Sequence, residues 1–180
     1  MREIPAGFHV HENGGGLVAD TAHVGASAFV GVNAQVFGTA GVFGNARISG
    51  NAWVSDDALV SDDARIFGNA WVSDDALVSG DARVFGNARI SGDARISGDA
   101  QISGDARVFG DAWETTPLYI AGIKHALCNS RYGHIAIGCH EHTFAYWQEH
   151  YKAIGRREGY TDAEIEQYRL LIEIFAKIGK

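Results

Sequence analysis

The sequence predicts a parallel β-helix followed by a small α+β domain. Two observations predict the β-helix: a six-residue period from Val18 to Trp113, and Gly-Asn or Gly-Asp pairs between successive units. A change in composition after Trp113 predicts the second domain. A strict internal period marks structural units that stack on their neighbours, so it determines the architecture before any single residue does.

Each repeat unit reads Ala-x-Val/Ile-Ser/Phe-Gly/Asp-Asn/Asp, and sixteen such hexads follow one another. Side chains alternate between two sides of a strand, so the Val or Ile and the Ala are expected to point inward. Pairs such as Gly44-Asn45 and Gly98-Asp99 tolerate positive φ angles and suit tight corners. An Ala follows each branched inward residue by four positions, from Ala22 to Ala112; the branched residues are Val18, Val24, Val30, Val36, Val42, Ile48, Val54, Val60, Ile66, Val72, Val78, Val84, Ile90, Ile96, Ile102 and Val108.

This run resembles the hexapeptide-repeat family, whose fold is a left-handed, three-sided β-helix with three hexads per coil. The resemblance covers about half of the chain and implies slightly more than five coils, roughly 25 Å tall at about 4.8 Å per layer. We therefore predict an N-terminal leader or cap at residues 1–17, a left-handed parallel β-helix at 18–113 and a C-terminal domain at 114–180. The resemblance also implies a homotrimer.

Large apolar side chains are predicted on the outside of this β-helix. With three hexads per coil, residues 18 apart stack, and Trp53–Ser61 is repeated without change at Trp71–Ser79. Trp53 should then lie beside Trp71, and Leu59 beside Leu77. Outward apolar groups need burial by another surface. They indicate either a subunit contact or seat for the C-terminal segment, or a site for an outside partner.

Arginines also stack in this arrangement. One column holds Arg47, Arg65 and Arg83, with Phe67 and Phe85 two residues further along, and another runs Gln35, Trp53, Trp71, Arg89 and Arg107. Like charges repel unless carboxylates or a bound anion neutralise them. Two interpretations follow: pairing with the Asp-rich corners, or an anion or nucleotide site. The candidate ligand contacts are Arg47, Arg65, Arg83, Phe67, Phe85, Arg89 and Arg107.

A column of carboxylates is predicted along one edge, formed by Asp57, Asp75, Asp93 and Asp111. Regular acidic rods imitate the phosphate spacing of DNA, so an acidic DNA mimic is a minor alternative. The arginine columns dilute its negative field.

Charge and cysteine usage exclude several classes of protein. The net charge of −7 argues against direct nucleic-acid binding. No apolar run at the start predicts a signal peptide, and none along the chain predicts a membrane span. Two cysteines are too few for a disulfide framework. We expect a cytoplasmic protein without a membrane partner.

The hexapeptide-repeat resemblance raises the alternative of an acyltransferase that uses acyl-coenzyme A. The family's usual chemistry has a His as general base, near a loop that leaves the coils. Here the hexads run without such a loop, and His23 is the one His within them. His23 is the candidate base of this alternative. Fold alone does not establish function.

After Trp113 the pattern predicts two strands and two helices. Residues 118–123 and 134–138 read as strands, with Asn129, Ser130 and Gly133 as turn residues between them. Thr143 is the predicted N-cap of a helix over 144–154, and Thr161 with Glu164 forms a capping box before the last helix. The predicted buried faces hold Phe144, Trp147, Tyr151 and Ile154 on one helix, and Ile165, Tyr168, Ile172, Phe175 and Ile178 on the other.

Histidines and cysteines are frequent in this segment, but their spacing is not typical of a metal site. They are His125, Cys128, His134, Cys139, His140, His142 and His150, with no CxxC pair. We favour a buried structural role for Cys139 and a helix-start role for His142, with no metal and no cofactor. Cys128 as a nucleophile is a lesser alternative, because nothing marks an activating environment.

The segment around Cys139 resembles a C-terminal module that follows hexapeptide repeats in phage and prophage proteins. The resemblance rests on Ile137, Gly138, Cys139, His142, Thr143 and Trp147. It implies a small protein that binds a host component, such as a defence enzyme or its nucleotide messenger. Our leading hypothesis is a non-catalytic homotrimer that sequesters or inhibits a host protein or phosphate-bearing small molecule through its subunit seams and its C-terminal domain. The alternatives are the acyltransferase and a structural module for trimerisation or assembly.

Overall fold

The computed structural model describes residues 3–180, and the chain in it divides into two compact units. The first comprises the chain up to Asp105 together with Phe109–Thr116, and the second comprises Ala106–Val108 with Pro117–Lys180. Residues 1 and 2 of the predicted leader lie outside the described residues. The rest of the leader contributes a strand, Phe8–Val10, that pairs antiparallel with Leu17–Ala19.

The repeat forms very short strands, one per hexad. Short strands are expected because a corner interrupts the chain every six residues. The strands up to Trp113, of which β17 counts with the second unit, are β1 Phe8–Val10, β2 Leu17–Ala19, β3 His23–Val24, β4 Phe29–Val30, β5 Gln35–Val36, β6 Gly41–Val42, β7 Arg47–Ile48, β8 Trp53–Val54, β9 Leu59–Val60, β10 Arg65–Ile66, β11 Trp71–Val72, β12 Leu77–Val78, β13 Arg83–Val84, β14 Arg89–Ile90, β15 Arg95–Ile96, β16 Gln101–Ile102, β17 Arg107–Val108 and β18 Ala112–Trp113.

Strands three apart in sequence pair in parallel, which makes the first unit a β-solenoid with three sheets. The sheet orders within this unit are β1-β2-β5-β8-β11-β14, β4-β7-β10-β13-β16 and β3-β6-β9-β12-β15-β18. Trp53 pairs with Trp71, and Arg65 pairs with Arg83. The predicted parallel β-helix with residues 18 apart in register is therefore confirmed, while its left-handed sense stays a prediction.

The core of the first unit is a stack of branched residues beside alanines. The Val or Ile of every hexad from Val30 to Ile102 has at most 1% of its surface exposed, as does every Ala from Ala28 to Ala100. Each Å² of apolar surface that is buried in this way stabilises the fold by roughly 25 cal/mol. The inward assignment of these positions is confirmed.

The last hexad departs from the predicted spacing. Ile96 pairs with Trp113, so the offset is one residue short of 18, and Arg95 pairs with Ala112. Ala112 is consequently exposed, whereas Trp113 is 1% exposed and donates its indole N–H to the Gly110 carbonyl at 3.0 Å. The expectation that Ala112 points inward is wrong, because the slip buries a large indole instead of a methyl group.

The corners adopt positive φ, as the Gly-Asn and Gly-Asp pairs predicted. Gly44 has φ 65° and Gly98 has φ 59°. Asp62 and Asp74 take the same place in other corners, with φ 60° and 57°, and each carboxylate accepts a backbone N–H of the next coil, Gly80 at 3.1 Å and Gly92 at 3.0 Å. This hydrogen bond offsets the strain of a left-handed residue that carries a side chain.

The second unit contains an antiparallel sheet and two helices, which confirms its α+β character. The sheet has four strands in sequence order instead of the two that were predicted. Its elements after β17 are β19 Tyr119–Ile120, β20 Leu127–Arg131, β21 His134–Ile137, β22 His140–Thr143, α1 Phe144–Arg157 and α2 Asp162–Ile178. Within residues 3–180, neither helix has the length and apolar character needed to cross a membrane.

Two residues predicted to form a turn lie inside strand β20. Asn129 is buried, and its amide donates to the carbonyls of His134 at 3.1 Å and Lys180 at 3.2 Å. Ser130 is also buried and donates to the Glu141 carboxylate at 2.8 Å. Internal hydrogen bonds let these polar side chains occupy a strand, so the prediction of a turn there is wrong. Gly133, with φ 74°, does form the turn before β21.

The helix ends follow the sequence signals. Thr143 caps α1 by accepting the N–H of Tyr146 at 3.2 Å, and the predicted capping box of Thr161 and Glu164 is present. The core contains Leu127, Ile135, Ile137, Trp147, Ile154, Tyr168, Ile172 and Phe175. Ile178 was expected on the buried face but is 69% exposed, because it is the last residue of α2.

The solenoid core yields a stability prediction. Ile66→Ala should lower the free energy of unfolding by about 2–5 kcal/mol, because it leaves a cavity between coils packed above and below. Arg65→Ala, one residue earlier and outward-facing, should stay within about 0.5 kcal/mol. Urea unfolding followed by circular dichroism measures both. Equal effects of the two substitutions would contradict the inward assignment.

Candidate ligand-binding site

A cavity of about 260 Å³ lies in the second unit. Its walls are mainly apolar and aromatic, with a few charged or polar groups. Such a pocket is the default candidate for a ligand site in a protein of this kind. The lining residues are Arg107, His125, Ile137, Gly138, Cys139, His140, Trp147, Tyr151, Ile154, Gly155, Glu158, Tyr160, Ile165, Tyr168 and Ile172.

Hydrogen bonds fix the aromatic walls. The Trp147 indole N–H donates to the Ile135 carbonyl at 2.8 Å. The Tyr168 hydroxyl donates to the His125 carbonyl at 2.7 Å and accepts the His125 N–H at 2.8 Å. Tyr160 packs edge-on against Tyr168, with ring centroids 5.1 Å apart. These rings are ordered before any ligand arrives, which reduces the entropy cost of binding.

Gly155 lets the two helices approach closely at the cavity. A Cβ at this position would lie 2.7 Å from Cγ1 of Ile165 on α2, which is closer than carbon atoms pack. A helix interior disfavours Gly by about 1 kcal/mol relative to Ala. The close approach of α1 and α2 explains why Gly occupies this position.

Three of the lining residues, Arg107, His140 and Glu158, carry charged or titratable side chains. His140 Nε2 lies 3.1 Å from Glu158 Oε1, and Arg157 Nε lies 3.2 Å from the same oxygen. The hydrogen bond from His140, followed by that from Arg157, holds the pKa of Glu158 below its usual range. Arg107 is half-buried and has no carboxylate within 4 Å among residues 3–180. Its guanidinium is therefore available to an anionic group of a ligand.

Burial raises the pKa of Tyr160, and the neighbouring Tyr168 raises it further. Its hydroxyl therefore keeps its proton at neutral pH and serves as a hydrogen-bond group without charge. The cavity thus combines a neutral phenol, an imidazole, a carboxylate and a guanidinium around an apolar interior.

The two cysteines are placed differently from the sequence expectation. Cys139 is exposed at the cavity wall, so its predicted buried role is wrong. Cys128 is buried, and burial raises the pKa of its thiol to about 12. A thiol of this kind stays protonated, which argues against the lesser alternative of Cys128 as a nucleophile.

The histidines separate into different environments. His142 lies on β22, where its ring packs 4.3 Å from Tyr146 and 5.3 Å from Trp147, so it is a strand residue beside the helix start. Burial and the neighbouring His140 lower the pKa of His142. Between Glu3 and Lys180, no three His, Cys, Asp or Glu side chains are grouped so that they could hold a metal ion.

The arginine column of the first unit is not neutralised by the Asp corners. Arg47, Arg65 and Arg83 form no ion pair with any residue from 3 to 180, so the predicted pairing is wrong. The Arg47 guanidinium instead lies 4.4 Å from the ring centroid of Phe29. Their strands present these side chains outward, away from the corners.

The phenylalanines beside this column form a stacked pair. Phe67 and Phe85 have parallel rings with centroids 4.9 Å apart. The exposed Arg65 and Arg83 are two residues before them. Arginine beside an aromatic ring is the composition expected of an anion site, but the guanidinium groups of Arg65 and Arg83 lie in solvent.

The tryptophan column and the leucine column occupy different sheets. Trp53 and Trp71 pack edge-on with centroids 5.6 Å apart, and the Arg89 guanidinium lies 5.8 Å from Trp71. Leu59 is 43% exposed and pairs in register with the half-buried Leu77. The four predicted interface residues therefore divide into an aromatic pair and an aliphatic pair.

Two other predicted features have simpler surroundings. His23 is exposed on β3, and its register partner in the next coil is Gly41. Asp57 accepts a hydrogen bond from the Thr39 hydroxyl at 2.5 Å. Asp111, the last member of the predicted carboxylate column, has φ 64°. Its carbonyl accepts the N–H of Arg95 at 2.8 Å, so Asp111 takes the place of an Ala in the regular coils and lies one residue out of the 18-residue register.

Sequence reasoning missed the cavity, although it identified several residues that line it. Trp147, Tyr151, Ile154, Ile165, Tyr168 and Ile172 were predicted as core, and Arg107 as a ligand contact. Glu158 and Tyr160, which both follow the end of α1, carried no pattern of their own. The high density of aromatic and His residues after His140 was the available signal.

Comparison with known proteins supports the repeat. Residues 40–56, 88–100 and 100–115 match the family described as YdcK beta solenoid repeat. With the five-coil solenoid seen in the structure, this confirms a β-helix of the hexapeptide-repeat kind. No curated protein and no solved structure matches the chain. The phage resemblance of the C-terminal module stays a prediction.

The different exposure of the two thiols predicts selective labelling. Iodoacetamide at pH 8 should modify Cys139 and leave Cys128 intact, because with a pKa of about 12 roughly one Cys128 thiol in ten thousand is ionised. Mass spectrometry of the protein labelled without denaturant measures this. Cys139→Ser should take up no label, and a label on Cys128 at a rate similar to Cys139 would contradict the burial.

Proposed function

We propose that this protein is a non-catalytic binding protein in which the β-solenoid is a rigid scaffold and the second unit holds a small-molecule ligand. The observation that carries the proposal is the aromatic-walled cavity with the half-buried, unpaired Arg107 among its lining residues. Its volume of about 260 Å³ suits a compact planar molecule.

The ligand's chemistry follows from the walls. Trp147, Tyr151 and Tyr160 favour an aromatic or apolar body, because stacked or edge-on aromatic contacts add to the burial of apolar surface. Arg107 favours an anionic group, for which a guanidinium offers paired donors. A nucleotide-like or other phosphate-bearing aromatic molecule meets both requirements. The resemblance to phage modules supports a role in sequestering such a host signal or inhibiting a host protein.

We also propose a homotrimer, joined through an apolar patch formed by Phe43, Leu59 and Leu77. Phe43 and Leu59 are each 43% exposed. Both lie over Gly41, where a Cβ would come within 2.6 Å of the Phe43 ring and 2.5 Å of the Leu59 side chain. Apolar surface of this kind is stabilised by contact with another subunit.

The cavity is tested with 1-anilinonaphthalene-8-sulfonate, an aromatic anion. We expect one bound probe per chain in a fluorescence titration. Arg107→Gln should weaken binding about tenfold, since a charge-assisted hydrogen bond is lost. Cys139→Trp should block it by filling the space, and Cys139→Ser is the matched control that keeps it. Displacement by adenosine monophosphate would identify a nucleotide-like ligand. Binding that neither Arg107→Gln nor Cys139→Trp changes would overturn the assignment.

The assembly is tested by native mass spectrometry of protein purified from a cell extract. We expect a trimer, with added mass of nucleotide size where the ligand is retained. Phe43→Ser combined with Leu59→Ser should shift it to monomer, because polar groups would then be buried at the contact. Leu170→Ser, which changes an exposed leucine on α2, is the control and should leave the trimer intact. A monomeric wild-type protein would refute the trimer.

A further inference from the structure

We propose that the first unit carries a second, separate site: a groove along the Trp53 column that binds a neutral oligosaccharide lengthwise. The groove is lined by Asn51, Trp53, Asn69, Trp71, Asn87 and Arg89, together with the backbone at Ala70, and encloses about 420 Å³. It shares no residue with the cavity of the second unit. The two sites can therefore be tested, and can fail, independently.

The groove lies between two parallel columns of side chains. Asn51, Asn69 and Asn87, called here the amide column, occupy the corners that precede β8, β11 and β14. The outward residue of each strand follows two positions later, about 6.6 Å along the chain. Each coil therefore presents one amide and one ring or guanidinium on the same side, and the arrangement repeats at about 4.8 Å.

The amide column offers both hydrogen-bond donors and acceptors. Asn51 Nδ2 donates to Asn69 Oδ1 at 3.0 Å, and Asn69 Nδ2 donates to Asn87 Oδ1 at 3.1 Å. Each amide has two N–H groups and two carbonyl lone pairs. One N–H and one lone pair of the exposed Asn69 therefore remain for a ligand. Sugar hydroxyls both donate and accept hydrogen bonds, so they can pair with this N–H and this lone pair.

The aromatic side of the groove is fixed in position. Trp71 donates its indole N–H to Ser55 Oγ at 3.0 Å, and the buried Ser55 hydroxyl donates to Asp56 at 2.8 Å. Trp53 packs between Phe37, at 6.1 Å, and Trp71, at 5.6 Å. Trp53 is 40% exposed and offers ring surface that packs against the C–H face of a pyranose, while the half-buried Trp71 beside it carries the Arg89 guanidinium 5.8 Å over its ring.

Charge distinguishes a sugar from a nucleic acid here. Arg89 is the one cation lining the groove within residues 3–180. Each Trp strand is followed by two aspartates, Asp56 and Asp57 after Trp53, and Asp74 and Asp75 after Trp71. These carboxylates and the net charge of −7 repel a phosphate backbone. A neutral oligosaccharide with one sugar ring per coil is not repelled by these carboxylates.

The test is a glycan array of neutral hexose and N-acetylhexosamine oligosaccharides, followed by calorimetric titration of the strongest one. We expect binding that Trp53→Ala and Asn69→Ala each weaken about tenfold, because one loses ring contact and the other breaks the amide column. Asn45→Ala is the matched control: Asn45 also bonds to a side chain of the next coil, Asp63 at 3.3 Å, but lies outside the groove.

Three outcomes would overturn the proposal. They are no retained glycan, binding that survives both groove variants, and preferential binding of a single-stranded oligonucleotide included as a competitor. Circular dichroism establishes that each variant is folded, and Trp53 and Asn69 are both exposed, so neither substitution removes core. The anilinonaphthalene titration of the second unit should be unchanged in these variants, which separates this site from the cavity.

Discussion

Parallel strand pairing, with residues 18 apart in register, is the constraint on which the first unit depends. The backbone of each coil donates to the next, for instance Trp53 N to the Ala70 carbonyl at 3.0 Å and Trp71 N to the Ala88 carbonyl at 2.9 Å. Once this register is set, the inward Val, Ile and Ala must lie directly above one another. The outward residues are then stacked too, so a column on the surface is a consequence of the core.

The two candidate sites arise from different physical causes. The groove along the Trp53 column follows from register: identical or similar residues recur on one face because the backbone repeats. The cavity of the second unit follows from irregular packing of two helices on a sheet, around Gly155 and the hydrogen-bonded Tyr168. A repeated surface suits an extended ligand, whereas an enclosed cavity suits a compact one.

The sequence was informative where one local rule dominates. The hexad pattern predicted the solenoid, the 18-residue stacking and the corners, and the cap residues Thr143 and Thr161 predicted the helix starts. It failed where tertiary contacts override local preference. Asn129 and Ser130 have turn composition, but burial with internal partners makes them strand residues. Trp113 takes an inward position because the last strand pairs one residue short of the 18-residue register, a shift that the hexad pattern does not contain. The cavity was not predictable, since its walls come from residues far apart in sequence that no period connects.

The repeated nonapeptide at Trp53–Ser61 and Trp71–Ser79 is separated by one complete coil. Duplication or deletion of 18 residues therefore lengthens or shortens the solenoid while every surface column stays on its own face. A change of six or twelve residues keeps the core pattern equally well, yet it rotates all following coils onto a neighbouring face and separates Trp71 from Arg89. The core pattern is therefore kept by a length change of any multiple of six residues, whereas the surface columns are kept only by multiples of 18. If selection maintains a binding face, insertions and deletions within the repeat should therefore occur in whole coils, that is, in multiples of 18 residues.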